Sequence, residues 1–371
     1  MYDVICIGGG LAGLTASIHL KKEGFRVLVL EKEAYPHHKV CGEYLSKEIL
    51  PYLRELGVDL SGAVEIDTLE FSTAKGRRLE LELPLGALGI SRFKLDHTLY
   101  LRALSLKVEI LFGTVTSVDF DGHSFCVRTQ TGETYYSTYV LGTYGKRSGI
   151  DHYLDRPFIK GNSPWLAVKA HYHYPDFSSN LVGLHSFDGG YGGLSMTETG
   201  AINFCYLVSY KHFQKVRDIE QFNKKTVSRN PRLRHFLEHA EMLFERPLTI
   251  AQVSFASKKP VESHVLMCGD TAGLIHPLCG NGMAMAIHSA KLASELLCGQ
   301  LGSKNPDRTL LEKEYSVLWR RTFGRRVRTG RYLQRLLLSA TATDLLFTLA
   351  SESPGTLRRI IRRTHGNPVA I

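Results

Sequence analysis

Residues 1–32, MYDVICIGGGLAGLTASIHLKKEGFRVLVLEK, constrain this chain more than any other stretch. Tyr2 to Ile7 is a short apolar run with β-branched residues, the pattern of a buried parallel strand. Gly8, Gly10 and Gly13 follow in G-x-G-x-x-G spacing. Leu11 to Lys22 then carries helix formers, with Leu11, Leu14 and Ile18 on one face. Phe25 to Leu30 reads as a second buried strand, with Glu31 at its carboxyl end. Gly8 permits the tight turn out of the strand, Gly10 lets backbone approach a pyrophosphate, and Gly13 lets the helix pack closely on the strands. The helix start, at Leu11 and Ala12, offers N–H groups and a partial positive charge to that pyrophosphate. Glu31, eighteen residues after Gly13, is placed to accept hydrogen bonds from an adenosine ribose, with Lys32 beside it. The parts in this order predict a dinucleotide site that suits FAD or NAD(P).

The 371 residues and 43% hydrophobic content allow one large or two medium domains. Seven cysteines are scattered without a C-x-x-C pair, which argues against a zinc site and a disulfide framework. The first strand begins at Tyr2, leaving no room for a signal peptide, and no apolar run reaches the roughly 20 residues of a membrane span. The expectation is a reduced, cytoplasmic protein. Its net charge of +10 is local: eleven arginines between Val317 and His365 face only Asp344 and Glu352.

Further along, Ser46 reads as the N-cap of a helix ending at Gly57. The loop Lys39-Val40-Cys41-Gly42 before it should lie over the reactive end of the cofactor, with Cys41 facing substrate or flavin and His38 beside it as a candidate proton donor. Ile66–Ser72 and Arg77–Leu83 alternate like paired strands, and Arg92 opens a helix running to about Leu104. A meander of strands from Val115 returns to an apolar strand ending at Gly142, followed by a turn at Gly145. Four strands between Trp165 and Val208 predict an antiparallel sheet. After His264–Cys268 come Gly269-Asp270, then Gly280-Asn281-Gly282-Met283 opening a helix rich in small residues. Its N-terminus is suited to stabilise developing negative charge on a cofactor ring. Pro306–Leu338 has a long, charged helical pattern, continued at Leu345–Leu349 and Thr356–Ile361.

The motifs GGGLAG…LEK, KVCGEYLS, SRFKLD and GDTAGLIHPLCGNGMAMAI together resemble the flavoprotein superfamily of geranylgeranyl reductases and p-hydroxybenzoate hydroxylase-type enzymes. The K-x-C-G-G loop of the reductase branch is the nearest match to Lys39–Gly42. The resemblance implies an α/β fold: a Rossmann-like FAD/NAD(P)-binding domain, an inserted antiparallel-sheet substrate domain and a C-terminal helical tail. The expected partition is 1–66, 91–158 and 255–302 for FAD, 67–90 and 159–254 for substrate, and 303–371 for the helical region. The resemblance implies that Asp270 contacts the flavin ribitol and that Arg92 contacts FAD. Lys32, Lys39, Val115, Gly145, Gly269, Gly280, Gly282 and Met283 complete the expected cofactor set, with Cys41 and His38 as the catalytic candidates. No metal is expected.

Three departures bear on substrate. Glu43 replaces the second glycine of C-G-G, Tyr144-Gly145 replaces an Asp-Gly pair, and the Gly190–Ser195 loop lacks the reductases' Trp and Pro. The W-x-W-x-I-P signature of flavin halogenases is absent, which argues against halogenation. A second G-x-G-x-x-G unit is also absent, so NAD(P)H is expected to visit transiently as reductant. The expected activity is reduction of carbon–carbon double bonds in a hydrophobic, lipid-like or polyketide-like substrate, by hydride transfer from reduced FAD. The alternative is NAD(P)H-dependent hydroxylation of an aromatic or polyketide substrate. Leucines and Phe347 interleave with the tail arginines, suggesting an anionic membrane surface or an acidic acyl carrier protein as partner. No nucleic-acid module accompanies them.

Overall fold

The computed structural model describes residues 1–276, 280–337, 347–348 and 368–369. The opening apolar run, Tyr2–Ile7, becomes an inner strand of a parallel sheet, flanked in parallel by Val27–Glu31 and Thr134–Gly142. Glu109–Phe112 and Val265–Met267 extend the sheet on either side, both also in parallel. Val4, Ile5 and Cys6 are fully buried, as a strand covered on both faces must be. The helix Leu11–Lys22 follows the glycine loop and is buried over most of its surface. It packs in one core with the helices Arg92–Ser105 and Gly282–Leu301. Val115–Phe120 and Phe125–Thr129 form the expected meander into Thr134–Gly142.

Among the described residues a second sheet has nine strands, with Trp165–His173, Ile202–Ser209, Gly190–Met196 and Leu181–Phe187 running antiparallel in that order. The sheet is mixed rather than wholly antiparallel, because Leu181–Phe187 pairs in parallel with Val64–Ser72. That strand belongs to a hairpin, Val64–Ser72 with Arg78–Gly89, contributed by a separate stretch of chain. Tyr44–Ser46 adds a further strand at the hairpin's edge. The sheet therefore reaches further into the chain than residues 67–90.

Along Trp165–His173 the side chains alternate between two buried environments. Leu166, Val168, Ala170 and Tyr172 join Phe222, Leu233 and Phe236, from the helices Ile219–Lys225 and Pro231–His239, in one core. Trp165 and Ala167 join a different cluster with Tyr191, Leu207 and Leu274, on the side of the first sheet. Lys169 and His171 continue that second side.

The described part of the arginine-rich segment lies in one thirty-residue helix, Arg308–Leu337. Leu311, Tyr315, Trp319, Phe323 and Val327 recur every fourth residue and are buried, an apolar stripe that docks the helix on the first sheet's core. The Tyr315 hydroxyl donates to the Met267 carbonyl at 2.6 Å. Arg320, Arg321, Arg325 and Arg328 lie on the exposed side. Phe347 is buried against Phe71, with Arg77 over its ring at 4.4 Å. The expectations placed on Leu345, Leu346, Leu349, Thr356–Ile361 and Arg358, Arg359, Arg362 and Arg363 lie outside the described residues. Among the described residues no helix is long and apolar enough to cross a membrane.

Candidate active site

A cavity of about 270 Å³ opens between the two sheets. Of the residues expected at a site, Gly10, Leu11, Ala12, Cys41, Arg92, Gly145, Gly269, Asp270, Gly280, Gly282 and Met283 all line it. These come from six separate segments, brought together because the glycine loop, the Gly145 turn and the Gly269–Asp270 turn all follow carboxyl ends of neighbouring parallel strands.

Gly8 and Gly13 stand behind the cavity and shape it. Gly8 has φ +101°, and a Cβ on Gly13 would lie 2.0 Å from the Gly8 carbonyl oxygen. A Cβ on Gly10 would instead enter the space in front of two cations, 3.8 Å from Arg92 Nη2 and 4.0 Å from Lys39 Nζ. The helix begun at Gly10 has no side-chain cap and no acid in its first turn. The helix begun at Asn281 likewise has no acid in its first turn. Its residues Gly282 and Met283 reach the same cavity.

Arg92 and Lys39 are aimed by one carboxylate that sequence reasoning passed over. Asp96 is buried and takes Arg92 bidentately, with Lys39 Nζ at 2.8 Å. Burial opposes its ionisation, but the Arg92 and Lys39 charges hold its carboxyl below the usual carboxylate range. The signal was present: Arg92 and Asp96 stand four apart on one helical face within SRFKLD.

Glu31 is buried and accepts from the backbone N–H groups of Gly9 at 2.7 Å and Lys32 at 2.8 Å, so it braces the glycine loop. Lys32 pairs with Glu33 on the exposed surface, and Val115 is buried opposite Thr129 in the meander; neither lines the cavity. His38 does not line it either. Its ring packs among Phe93, Phe244 and His171. Burial, then the nearby Lys169, push its pKa down to about 4, so at neutral pH it is an uncharged ring and carries no imidazolium proton to donate.

The loop Lys39–Gly42 is held by its carbonyls. Lys169 Nζ donates to Lys39 O at 3.1 Å and Lys146 Nζ to Val40 O at 2.9 Å. Asn203 Nδ2 donates to Cys41 O and Ser195 Oγ to Gly42 O, each at 3.2 Å. Four consecutive carbonyls thus each accept a hydrogen bond from a different side chain, and the Cys41 side chain is left on the cavity wall. Lys258, whose pKa burial pushes down to about 8, donates to the carbonyls of Lys146 and Asp270, at 3.0 and 2.8 Å. Lys146 and Lys258 therefore tie the Val40, Gly145 and Asp270 segments into one frame. Neither lysine was singled out from the sequence.

The donor set fits a dinucleotide: open space before Gly10, two buried-face cations beside it, and helix N-termini free of competing acids. Residues 1–314 match the family described as FAD binding domain. The chain belongs to this family. As an FAD-binding flavoprotein it is an FAD-dependent enzyme, and its relatives span several chemistries. It is 23% identical to digeranylgeranylglycerophospholipid reductase 2 of Methanothermobacter thermautotrophicus, over 91% of this chain and 88% of that one. It is 25% identical to 1H-pyrrole-2-carbonyl-[peptidyl-carrier protein] brominase of Pseudoalteromonas luteoviolacea, over 80% and 77%. The solved structure of the flavin-dependent brominase Bmp2 superposes with a TM-score of 0.79 at 18% identity, covering 98% of this chain and 93% of that one. In this FAD-binding flavoprotein, Gly10, Leu11, Arg92 and Lys39 would hold the diphosphate, with Gly269, Asp270 and Gly282 along the remainder of the cofactor.

Proposed function

We propose that this flavoprotein reduces carbon–carbon double bonds in a hydrophobic, lipid-like or polyketide-like substrate. One observation carries the reading: the cavity that meets the glycine loop continues, past Cys41 and Glu43, between apolar walls of Leu69, Leu83, Val182, Leu184 and Leu207. An apolar chamber joined to a cofactor cradle suits a substrate recognised by burial rather than by charge. The similarity to a reductase whose name specifies a prenylated phospholipid supports the same substrate class. FAD, when bound and reduced, supplies the hydride; the chain's residues orient the substrate and exclude water. Cys41, on a loop fixed at four carbonyls, forms the wall between cradle and chamber. NAD(P)H serves as transient reductant.

The partner is an anionic membrane surface carrying that substrate. Arg320, Arg321, Arg325 and Arg328 share the exposed side of the helix Arg308–Leu337, where each basic residue near such a surface contributes about 1 kcal/mol. Binding to anionic liposomes at low salt, lost at high salt, tests this; binding to an acyl carrier protein instead would redirect it.

Turnover with and without oxygen tests the reaction. A gain of two hydrogens that needs no oxygen supports the reductase. A gain of one oxygen that requires oxygen makes the enzyme a hydroxylase built on the same cradle. A protein that stays colourless after reconstitution with FAD would defeat both.

A further inference from the structure

The cavity-side face of the second sheet changes character along one strand. At Trp165 and Ala167 it is apolar, and two residues further on it carries Lys169 and His171. Both meet Glu43, the residue standing where the resemblance places a glycine. Lys169 Nζ contacts Glu43 Oε1 at 2.5 Å, and His171 Nε2 contacts Glu43 Oε2 at 2.6 Å. Glu43 and Lys169 have no solvent exposure at all, and the His171 side chain has 7%. Glu43 also lines the cavity and accepts from the Arg92 backbone N–H at 2.8 Å.

This arrangement carries two costs at one position. Glu43 has φ 52°, the left-handed region that favours glycine. A buried ion pair is in itself weak evidence for stability, since desolvation offsets its attraction. Strain and buried charge that persist together at a cavity wall mark a working site. From Glu43 the chain of titratable groups runs outward: His171, then His38, whose ring meets His171 edge-on at 5.0 Å and whose Nδ1 is buried without a hydrogen-bond partner. His38 itself is partly exposed. The other charged or titratable groups around the cluster are Arg92, Glu198, Lys146, Cys41 and Cys205.

We infer that Glu43, Lys169, His171 and His38 form a proton relay that connects the cavity with solvent. The inference rests on the flavin reading of the cavity. In double-bond reduction the hydride brings two electrons to one carbon, the π bond breaks, and the other carbon takes a proton. Glu43 passes that proton inward from His171, and His171 is reloaded from water through the neutral His38 ring, which takes a proton on one nitrogen as it gives one up from the other. Lys169 keeps the Glu43 carboxylate ionised between transfers. Burial raises the Glu43 carboxyl, but the His171 hydrogen bond and the Lys169 charge outweigh it and hold it below the ordinary range.

The test uses the FAD-loaded protein without substrate. Pre-reduced methyl viologen delivers single electrons, with neither hydride nor proton release, so the protons taken up on reduction come from water. Their uptake is followed by stopped flow with a pH indicator in weak buffer, beside flavin absorbance. In the native protein the two signals are expected to coincide. In Glu43→Gln and His171→Phe, proton uptake is expected to lag at least tenfold while FAD affinity stays within twofold. Because Glu43→Gln leaves Lys169 buried and unpaired, the double variant Glu43→Gly/Lys169→Met removes both charges and relieves the backbone; it should show the same lag. Uptake that keeps pace with reduction in these variants overturns the relay and leaves the flavin reading intact. Failure of the native protein to take up FAD removes the flavin reading and the relay with it. Stoichiometric Zn²⁺ binding that is lost in both His38→Ala and His171→Ala overturns the relay in favour of a metal site, since ligand atoms of His38, Glu43 and His171 lie within 4.8 Å of one another.

Discussion

Arg92 grips Asp96 through two parallel hydrogen bonds, Nε to Oδ1 at 2.7 Å and Nη2 to Oδ2 at 2.8 Å. The Asp96 side chain is 1% exposed, so a single buried carboxylate balances both Arg92 and Lys39. Asp96→Asn should cost the FAD-free protein about 3 kcal/mol, the loss typical when one member of a buried charge cluster is removed. Saturating FAD should restore part of that, because its diphosphate returns negative charge to the same two cations. Urea unfolding with and without FAD measures both. A variant as stable as the parent would show that Asp96 does not carry this balance.

Gly10 and Gly13 should fail in different ways. Gly10→Val points into the open cavity before Arg92 and Lys39, so the protein should fold with native stability and bind no FAD. In Gly13→Ala the new Cβ would sit 2.0 Å from the Gly8 carbonyl oxygen, so folding itself should suffer. Thermal melts of the FAD-free proteins separate the two. Equal destabilisation by both substitutions would contradict the assignment.

Cys41→Ala should lower turnover at least tenfold and change FAD affinity less than threefold. The backbone at Cys41 is held by Asn203 through the carbonyl, so the loop keeps its path when the thiol is lost. Unchanged turnover would make the thiol a bystander on the wall.

Acid should destabilise the fold before its carboxylates titrate. Burial pushes His38, His185 and His288 down to about 4 and His276 to about 3, from an ordinary 6.5. Below pH 6.5 the unfolded chain binds protons that these folded rings refuse, so their contribution is full above pH 6.5. It is lost as pH falls towards 4 and 3. The urea midpoint should therefore drop between pH 7 and pH 5, with protons taken up on unfolding. A flat midpoint over that interval would rule this out.

What could be read from the sequence was what is local in the chain. The first strand, its glycines, its helix and Glu31 interact within some thirty residues, so spacing alone reports them. Asp96 was half legible: its partner Arg92 is four residues away, but Lys39 is 57 away. Glu43 could be seen as a departure from a motif and no more, because Lys169 and His171 lie 126 and 128 residues further on. Val115, expected at the cofactor, lies in the meander opposite Thr129, where the register shifts before Ser117. The arginine helix was read for its charge. The fourfold recurrence from Leu311 to Val327, which decides how the helix docks, stood in the same letters and was masked by the arginines around it.

The loop Lys39–Gly42 takes its shape from donors elsewhere in the molecule, one for each carbonyl. A main chain fixed in this way keeps its path without help from its own side chains, Lys39 apart, whose ammonium pairs with Asp96. Residues there can be exchanged while the path of the loop, which is what a ligand meets first, stays the same. Just past it stands Glu43, where the resemblance places a glycine, held in turn by Lys169, His171 and the Arg92 backbone.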